Sequence, residues 1–255
     1  LETISAEIPD SGTEEWKNFK TNSIKETSWK VLLENSTKQG NLKKEQHRLP
    51  NSIFFIDGHY SPEASSLKKE NDINISSLSD YLNKNPDFKS ILFNNPSDYA
   101  ESRLSGIKDK KPTYFISLNS LLSSGIVIEV EKAKNINETI NIIHSFSNIE
   151  PEIVINPYII IVCKEGSKVS FQEISHNVKS WNNTLKEIFI RKDSNLTFSS
   201  LQERISSGIK TSSINCHIDE NAELNLKILN RERSKEDIRI FLNKENSTAN
   251  ISGII

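Results

Sequence analysis

The second half of the chain repeats a pattern of apolar and polar positions. Four short polar turns recur: Lys164-Glu165-Gly166-Ser167, Lys192-Asp193-Ser194, Asp219-Glu220-Asn221-Ala222 and Lys244-Glu245-Asn246-Ser247. Each joins an apolar run to a stretch that alternates apolar with polar residues. Aligned on Ser167, Ser194, Ala222 and Ser247, the turns are 27, 28 and 25 residues apart. A period in the twenties is expected of a solenoid, in which each coil stacks on the one before.

The columns of this alignment test the idea. Four residues before the aligned position stand Cys163, Ile190, Ile218 and Asn243, and six before it stand Ile161, Ile188, Cys216 and Phe241. Two after it come Val169, Leu196, Leu224 and Ala249, and four after it Phe171, Phe198, Leu226 and Ile251. Residues two apart on a strand share a face. Fifteen of these sixteen are apolar, Asn243 being the exception, so the columns are expected to build one dry, continuous interior. The intervening Lys168, Ser170, Asn195, Thr197, Glu223 and Asn225 are expected to face solvent. A β-sandwich also alternates, but it requires no matched columns at a fixed period. The period also suits a parallel β-helix better than a shorter leucine-rich repeat.

Upstream, the pattern is mixed. Residues Glu14 to Leu33 carry irregular apolar positions, and a short helix with a connecting stretch is expected there. Ile53 to Ile56 predicts a strand, and Asp57-Gly58 a tight reversal into His59-Tyr60. Helices are expected at Ile75 to Leu82, at Pro96 to Leu104 and at Phe115 to Leu122, the last ending before Gly125. Ile126 to Val130 begins the strand-rich part. The expected fold is therefore mainly β: a right-handed parallel β-helix over 113–255, still unfinished at Ile255. It is preceded over 1–112 by a smaller, mixed, mostly helical region with a short hairpin.

Composition narrows the function. The chain has 255 residues, a net charge of −2 and a mean hydropathy of −0.50, with its basic clusters set among acidic residues. No basic stripe argues for nucleic acid, and no run approaches the length of a membrane span. Two cysteines make no disulfide framework, and residues Leu1 to Asp10 lack the apolar core of a secretory signal, so a reduced, cytoplasmic setting is expected. The sequence starts at Leu1 and holds no Met.

Candidate chemistry is sparse. Among 8 glycines there is no phosphate-cradling loop and no nucleophile elbow. Cys163 and Cys216 cannot supply the four thiolates of a typical iron–sulfur cluster, and both fall in apolar columns, where free cysteine packs as a small hydrophobe. Cys216 and His217 point to opposite faces of one strand, so they cannot chelate together, and His217 is expected to be an outward polar residue. His47, His59, His144 and His176 show no metal-ligand spacing. Glu203-Arg204 and Arg231-Glu232-Arg233 are expected on solvated faces. No catalytic, cofactor-binding or metal residue is assigned, and the chain is not expected to be an enzyme.

Several short elements, in order, carry a family likeness. Glu14-Glu15-Trp16-Lys17, the strand Phe54-Phe55-Ile56-Asp57-Gly58-His59-Tyr60, and Phe115 with Leu118-Asn119 followed by Ser124-Gly125-Ile126-Val127-Ile128 form the first group. Gln172-Glu173-Ile174, Asn183 with Glu187-Ile188, and Leu201-Gln202 form the second. Together they resemble the SufD family of the SUF iron–sulfur cluster assembly machinery, sister to SufB, and the N-terminal elements favour SufD of the two. The resemblance implies a scaffold that pairs with a SufB-like subunit and a SufC-like ATPase, or forms a homodimer when alone. It implies a cluster formed in the complex, none bound by this chain alone, and a cytoplasmic or plastid-stromal location. The family's interface histidine and its SufC-docking helix lie late in its sequence, and nothing here is available to match them. Two other readings remain open. A β-helix carbohydrate-active or polysaccharide-binding protein would need paired carboxylates on an outer face, and a stand-alone structural solenoid would need no partner.

Overall fold

The computed structural model describes residues 21–31, 49–68, 72–88, 114–122, 125–146, 152–175, 180–202, 208–230 and 234–254, with positions 8, 12, 16, 17 and 19. Two mostly parallel sheets face one another and are wound by one chain. The first carries β1 (Lys30–Val31), β4 (Ile73–Ser77), β5 (Ile126–Val130), β7 (Ile153–Ile155), β8 (Tyr158–Cys163), β10 (Trp181–Ile190), β12 (Ile209–Ile218) and β14 (Ser234–Leu242). The second carries β2 (Ser52–Ile56), β3 (His59–Ser66), β6 (Ile140–Ser145), β9 (Lys168–Ser175), β11 (Asn195–Gln202), β13 (Glu223–Leu229) and β15 (Thr248–Ile254). The chain passes from β8 to β9, β10 to β11, β12 to β13 and β14 to β15, changing sheet each time. It is a parallel β-solenoid.

The predicted columns are the observed register. Ile161, Ile188 and Cys216 are adjacent, as are Cys163, Ile190 and Ile218. Val169, Leu196, Leu224 and Ala249 form a row on the second sheet, as do Phe171, Phe198, Leu226 and Ile251. In the last coil the first sheet is offset by one residue. Ile240 and Leu242 continue the inner columns, while Phe241 pairs with His217 on the outer face. The fourth turn holds one residue more than the others, so counting back from Ser247 lands on Phe241 and Asn243 instead. Asn243 therefore belongs to the corner and does not interrupt the core.

The corners have a common geometry. Asp193, Asn221 and Asn246 have φ of 58°, 53° and 57°, in register with Gly166 at 72° and Ala133 at 56°. Gly, Asn and Asp reach this left-handed region at least cost. The Asn221 amide donates to Asp193 Oδ1 at 3.0 Å, and the Asn246 amide donates to Asn221 Oδ1 at 3.0 Å. Backbone bonds tie the same corners together, from Gly166 N to Lys192 O and from Asp193 N to Glu220 O. Residues Glu131 to Lys134 form a further corner of the same stack.

The N-terminal elements close the first coil. β2 lies parallel to β6, β3 folds back on β2, and β4 runs antiparallel to β5. Asp57 (φ 52°) and Gly58 (φ 86°) make the expected hairpin reversal. The segment expected to be helical from Ile75 starts instead as β4. Helix α2 spans Leu78–Lys84, with Ser77 Oγ accepting from Asp80 N, so the cap sets its start. Helix α1 (Asn22–Lys25) is the short helix of the first segment, and α3 (Tyr114–Leu122) is the expected third one. The helix expected at 96–104 lies outside the described residues. α3 is pinned to the outer face of the first sheet. Asn119 Nδ2 donates to the carbonyls of Pro157 and Asn183 at 2.9 and 2.6 Å, and Asn183 Nδ2 donates to Phe115 O at 2.9 Å. Trp16, Phe115 and Trp181 fill the space beside it.

Candidate functional site

The solenoid interior is dry across only half its width. Inward positions near the corners are aliphatic, aromatic or cysteine and are buried as far as β13, while Leu242 and Ile251 of the last coil are 57% and 55% exposed. Farther along the same strands, with the parity that points inward, stand Lys186 and Asn182 on β10, Lys210 and Ser212 on β12, Glu236 on β14, Glu173 on β9, Ser200 on β11 and His144 on β6. The expectation of a continuously apolar lumen thus holds for one half and fails for the other. Strand alternation does not distinguish an inward leucine from an inward lysine, and here the charged residues are turned in.

Their geometry is that of paired, buried charges. Lys186 Nζ lies 2.9 Å from Glu173 Oε2, with the two side chains 1% and 2% exposed. Glu173 also accepts from Ser200 Oγ at 2.7 Å and from His144 Nε2 at 3.1 Å. Lys186 reaches Ser212 Oγ at 3.4 Å, and its ammonium lies 5.9 Å from the centre of the Phe198 ring. One coil on, Lys210 Nζ lies 3.2 Å from Glu236 Oε1, which also accepts from Asn230 Nδ2 at 2.9 Å.

Burial alone would raise the Glu173 carboxyl. The Lys186 charge, the His144 hydrogen bond and Lys210 outweigh it and hold Glu173 well below the usual carboxylate range. Burial pushes His144 down, against the pull of Glu173, so the ring is neutral at pH 7. An ionised Glu173 has no proton to give, so His144 must carry its own on Nε2. Its ring stacks on Phe55 with centroids 5.0 Å apart. The arrangement stores charge inside the solenoid and holds neighbouring coils to one another. Its two hydroxyls, Ser200 and Ser212, are buried and bonded to Glu173 and Lys186.

Of the residues singled out from sequence, His144 and Glu173 lie in this cluster, and the others fall elsewhere. Cys163 and Cys216 are both free and buried in the apolar columns. Burial pushes the Cys163 thiol up to about 12, and burial with the Glu187 charge raises Cys216 as well, so neither is a ready ligand or nucleophile. His217 points outward as expected but is only 4% exposed, because Phe189 and Phe241 stack on either side at 4.8 and 4.7 Å. His59 lies on β3, and His47, His176, Glu203-Arg204 and Arg231-Glu232-Arg233 lie outside the described residues. Among the described residues no three His, Cys, Asp or Glu side chains converge to hold a metal ion.

A surface cleft of about 650 Å³ lies between α2 and the corner stack. Its carboxylates are committed: Glu129 to Lys164 at 2.7 Å and to the Tyr81 hydroxyl at 3.0 Å, Glu165 to Lys132 at 3.2 Å, and Asp219 to Arg191 at 3.3 Å.

The coils that carry Glu173, Lys186, Lys210 and Glu236 also lie within a stretch that matches a family model. Residues 146–255 match the family model “SUF system FeS cluster assembly, SufBD core domain”. The match supports the SufB/SufD family, and with it a role in FeS cluster assembly. It begins just after His144 and covers the solenoid from β7 to β15. No curated protein matches the chain. Among the described residues no helix is long and apolar enough to cross a membrane.

The sequence did contain a signal for the charged interior. Lys186 shares the parity of Ile188 and Ile190, Lys210 that of Ile214 and Cys216, and Glu173 that of Val169 and Phe171. Carrying the columns farther from the corners, one step for Lys186 and Glu173 and three for Lys210, would have placed all three inside.

Proposed function

We propose that this chain is a SufD-like, non-catalytic scaffold subunit in FeS cluster assembly. It pairs with a SufB-like sister subunit and a SufC-like ATPase, in the cytoplasm or a plastid stroma. The observation that carries the reading is the SufBD core domain match over the coils of a parallel solenoid. A stack of in-register strands supports it, because such a stack is stiff and offers long faces and edges for protein contact. So does the state of the titratable groups: both thiols are raised by burial, and the buried Glu173 is neutralised by its ion pair. In this reading the cluster is cargo formed in the complex, and the chain alone binds no cofactor. The N-terminal elements Glu14-Glu15-Trp16-Lys17 and Phe54 to Tyr60 favour SufD over SufB.

Co-purification of the full chain with SufB-like and SufC-like subunits from the same source tests the proposal. A stoichiometric complex at micromolar concentration is expected. No complex with either subunit would overturn the assembly role, and a complex formed only in place of the SufB-like subunit would overturn the SufD assignment.

A further inference from the structure

The second ion pair of the lumen differs from the first in one respect. Glu173 and Lys186 each have hydrogen-bonding partners, with His144 Nδ1 beside them left without one, whereas around Lys210 and Glu236 four buried polar atoms find none among the described residues: Lys210 Nζ, Asn182 Nδ2, Glu236 Oε2 and Asn230 Oδ1. The Lys210–Glu236 contact at 3.2 Å is an ion pair without hydrogen-bond geometry, so the ammonium protons remain to be placed. Asn182 gives its Oδ1 to the Thr184 hydroxyl at 2.9 Å and keeps its amide protons. Asn230 and Glu236 share one bond and each keeps an acceptor.

Asn182, Lys210 and Glu236 are neighbours on adjoining strands. Asn182 is the register partner of Lys210, and Lys210 that of Ser234, two residues before Glu236. Asn230 joins them through its bond to Glu236. Lys210 and Asn182 are 1% and 0% exposed, and Asn230 is 5% exposed. Buried polar groups are rarely left unpaired, because each costs about 1–3 kcal/mol.

We infer that the lumen between Lys210, Glu236, Asn230 and Asn182 is a built site for internal water. The chemistry selects the ligand. Two of the open groups donate and two accept, which is the complement of a molecule that both donates and accepts. An anion would leave the acceptors unmet, and a cation the donors. Lys210 and Glu236 cancel in charge, so the site has no net charge with which to retain an ion. Internal waters typically make about three hydrogen bonds to groups of this kind. The site stands whether or not the chain works in FeS cluster assembly.

A crystal structure of the full chain at about 1.5 Å resolution tests the inference. Ordered water is expected within about 2.7–3.2 Å of Lys210 Nζ and Glu236 Oε2, contacting Asn182 or Asn230 as well. Protein side chains filling those positions, a bound solute other than water, or a dry space would each overturn it. In solution, water-oxygen-17 relaxation dispersion should report long-lived internal water that is reduced in Lys210→Met/Glu236→Leu. An unchanged dispersion amplitude in a folded double variant would also overturn it. If that variant does not fold, the crystal structure of the unaltered chain decides.

Discussion

Replacing Lys186 with Met would test whether the buried charges are true pairs. The side chains of Lys186 and Glu173 are 1% and 2% exposed, so removing the ammonium strands a carboxylate out of reach of solvent. Breaking a buried pair from one side costs about 3–5 kcal/mol. Ser200 and His144 still donate to Glu173 and place the expected cost toward the lower end. For a chain of this size that is a fall in melting temperature of roughly 6–20 °C. Glu173→Gln alone strands Lys186 instead. The double variant Lys186→Met/Glu173→Gln leaves no charge unpaired while keeping an acceptor for Ser200 and His144, so at least half of the single-variant loss should return.

The sign of the pH effect follows from the carboxylate. In the unaltered protein the folded pKa of Glu173 lies below its unfolded value. Its contribution is therefore complete above the unfolded value and fades as pH falls through the folded one. Without Lys186 the carboxyl takes up a proton more readily, so the deficit of Lys186→Met should shrink between pH 7.5 and pH 5. Urea denaturation of all four proteins at both pH values measures this. A Lys186→Met cost under about 1 kcal/mol, the value of an exposed pair, would refute the reasoning. So would a double variant as unstable as the sum of the singles.

Three further outcomes are expected. Since burial lowers the folded pKa of His144, the unfolded chain binds the extra proton first. Stability should therefore drop as pH falls below about 6.5; His144→Gln should flatten that drop, and an identical slope in calorimetric scans would argue against it. Asn221→Ala should cost about 1–2 kcal/mol and Asn221→Gly less, because φ at this position is 53° and glycine tolerates it; equal melting temperatures for the two would count against the corner geometry. Cys163 and Cys216, buried with raised thiol pKa values, should resist a thiol reagent in the native protein and react fully in denaturant. Stoichiometric native labelling within minutes would contradict their placement.

The apolar half of the fold was legible because its signal repeats. Ile161, Ile188 and Cys216 occupy equivalent places in successive coils, and the strand period fixes which face they take. Two things escaped this reading. The extra residue in the fourth corner shifts β14 by one position, and a fixed count cannot detect an insertion. The charges of the lumen escaped because Lys186, Lys210 and Glu173 have solvated side chains in most settings, and only the register across coils reveals their counterparts. The start of β4 was lost for a local reason: Ile75 to Ser77 run directly into the helical Leu78 to Leu82, and the pairing of β4 with β5 involves residues more than 45 positions away.

The two halves of the lumen set different rules for changing the molecule. Aliphatic rungs are interchangeable, since any of them can rest on any other. The charged rungs are addressed, each to a counterpart on a given neighbour. Excising the rung formed by β10 and β11 would rejoin an intact oily seam, yet it would remove Lys186 and bring its register partner Ile214 into that place, leaving Glu173 without its cation. Lengthening or shortening this protein by whole rungs is therefore constrained by its buried salt, and the oily seam alone would permit it.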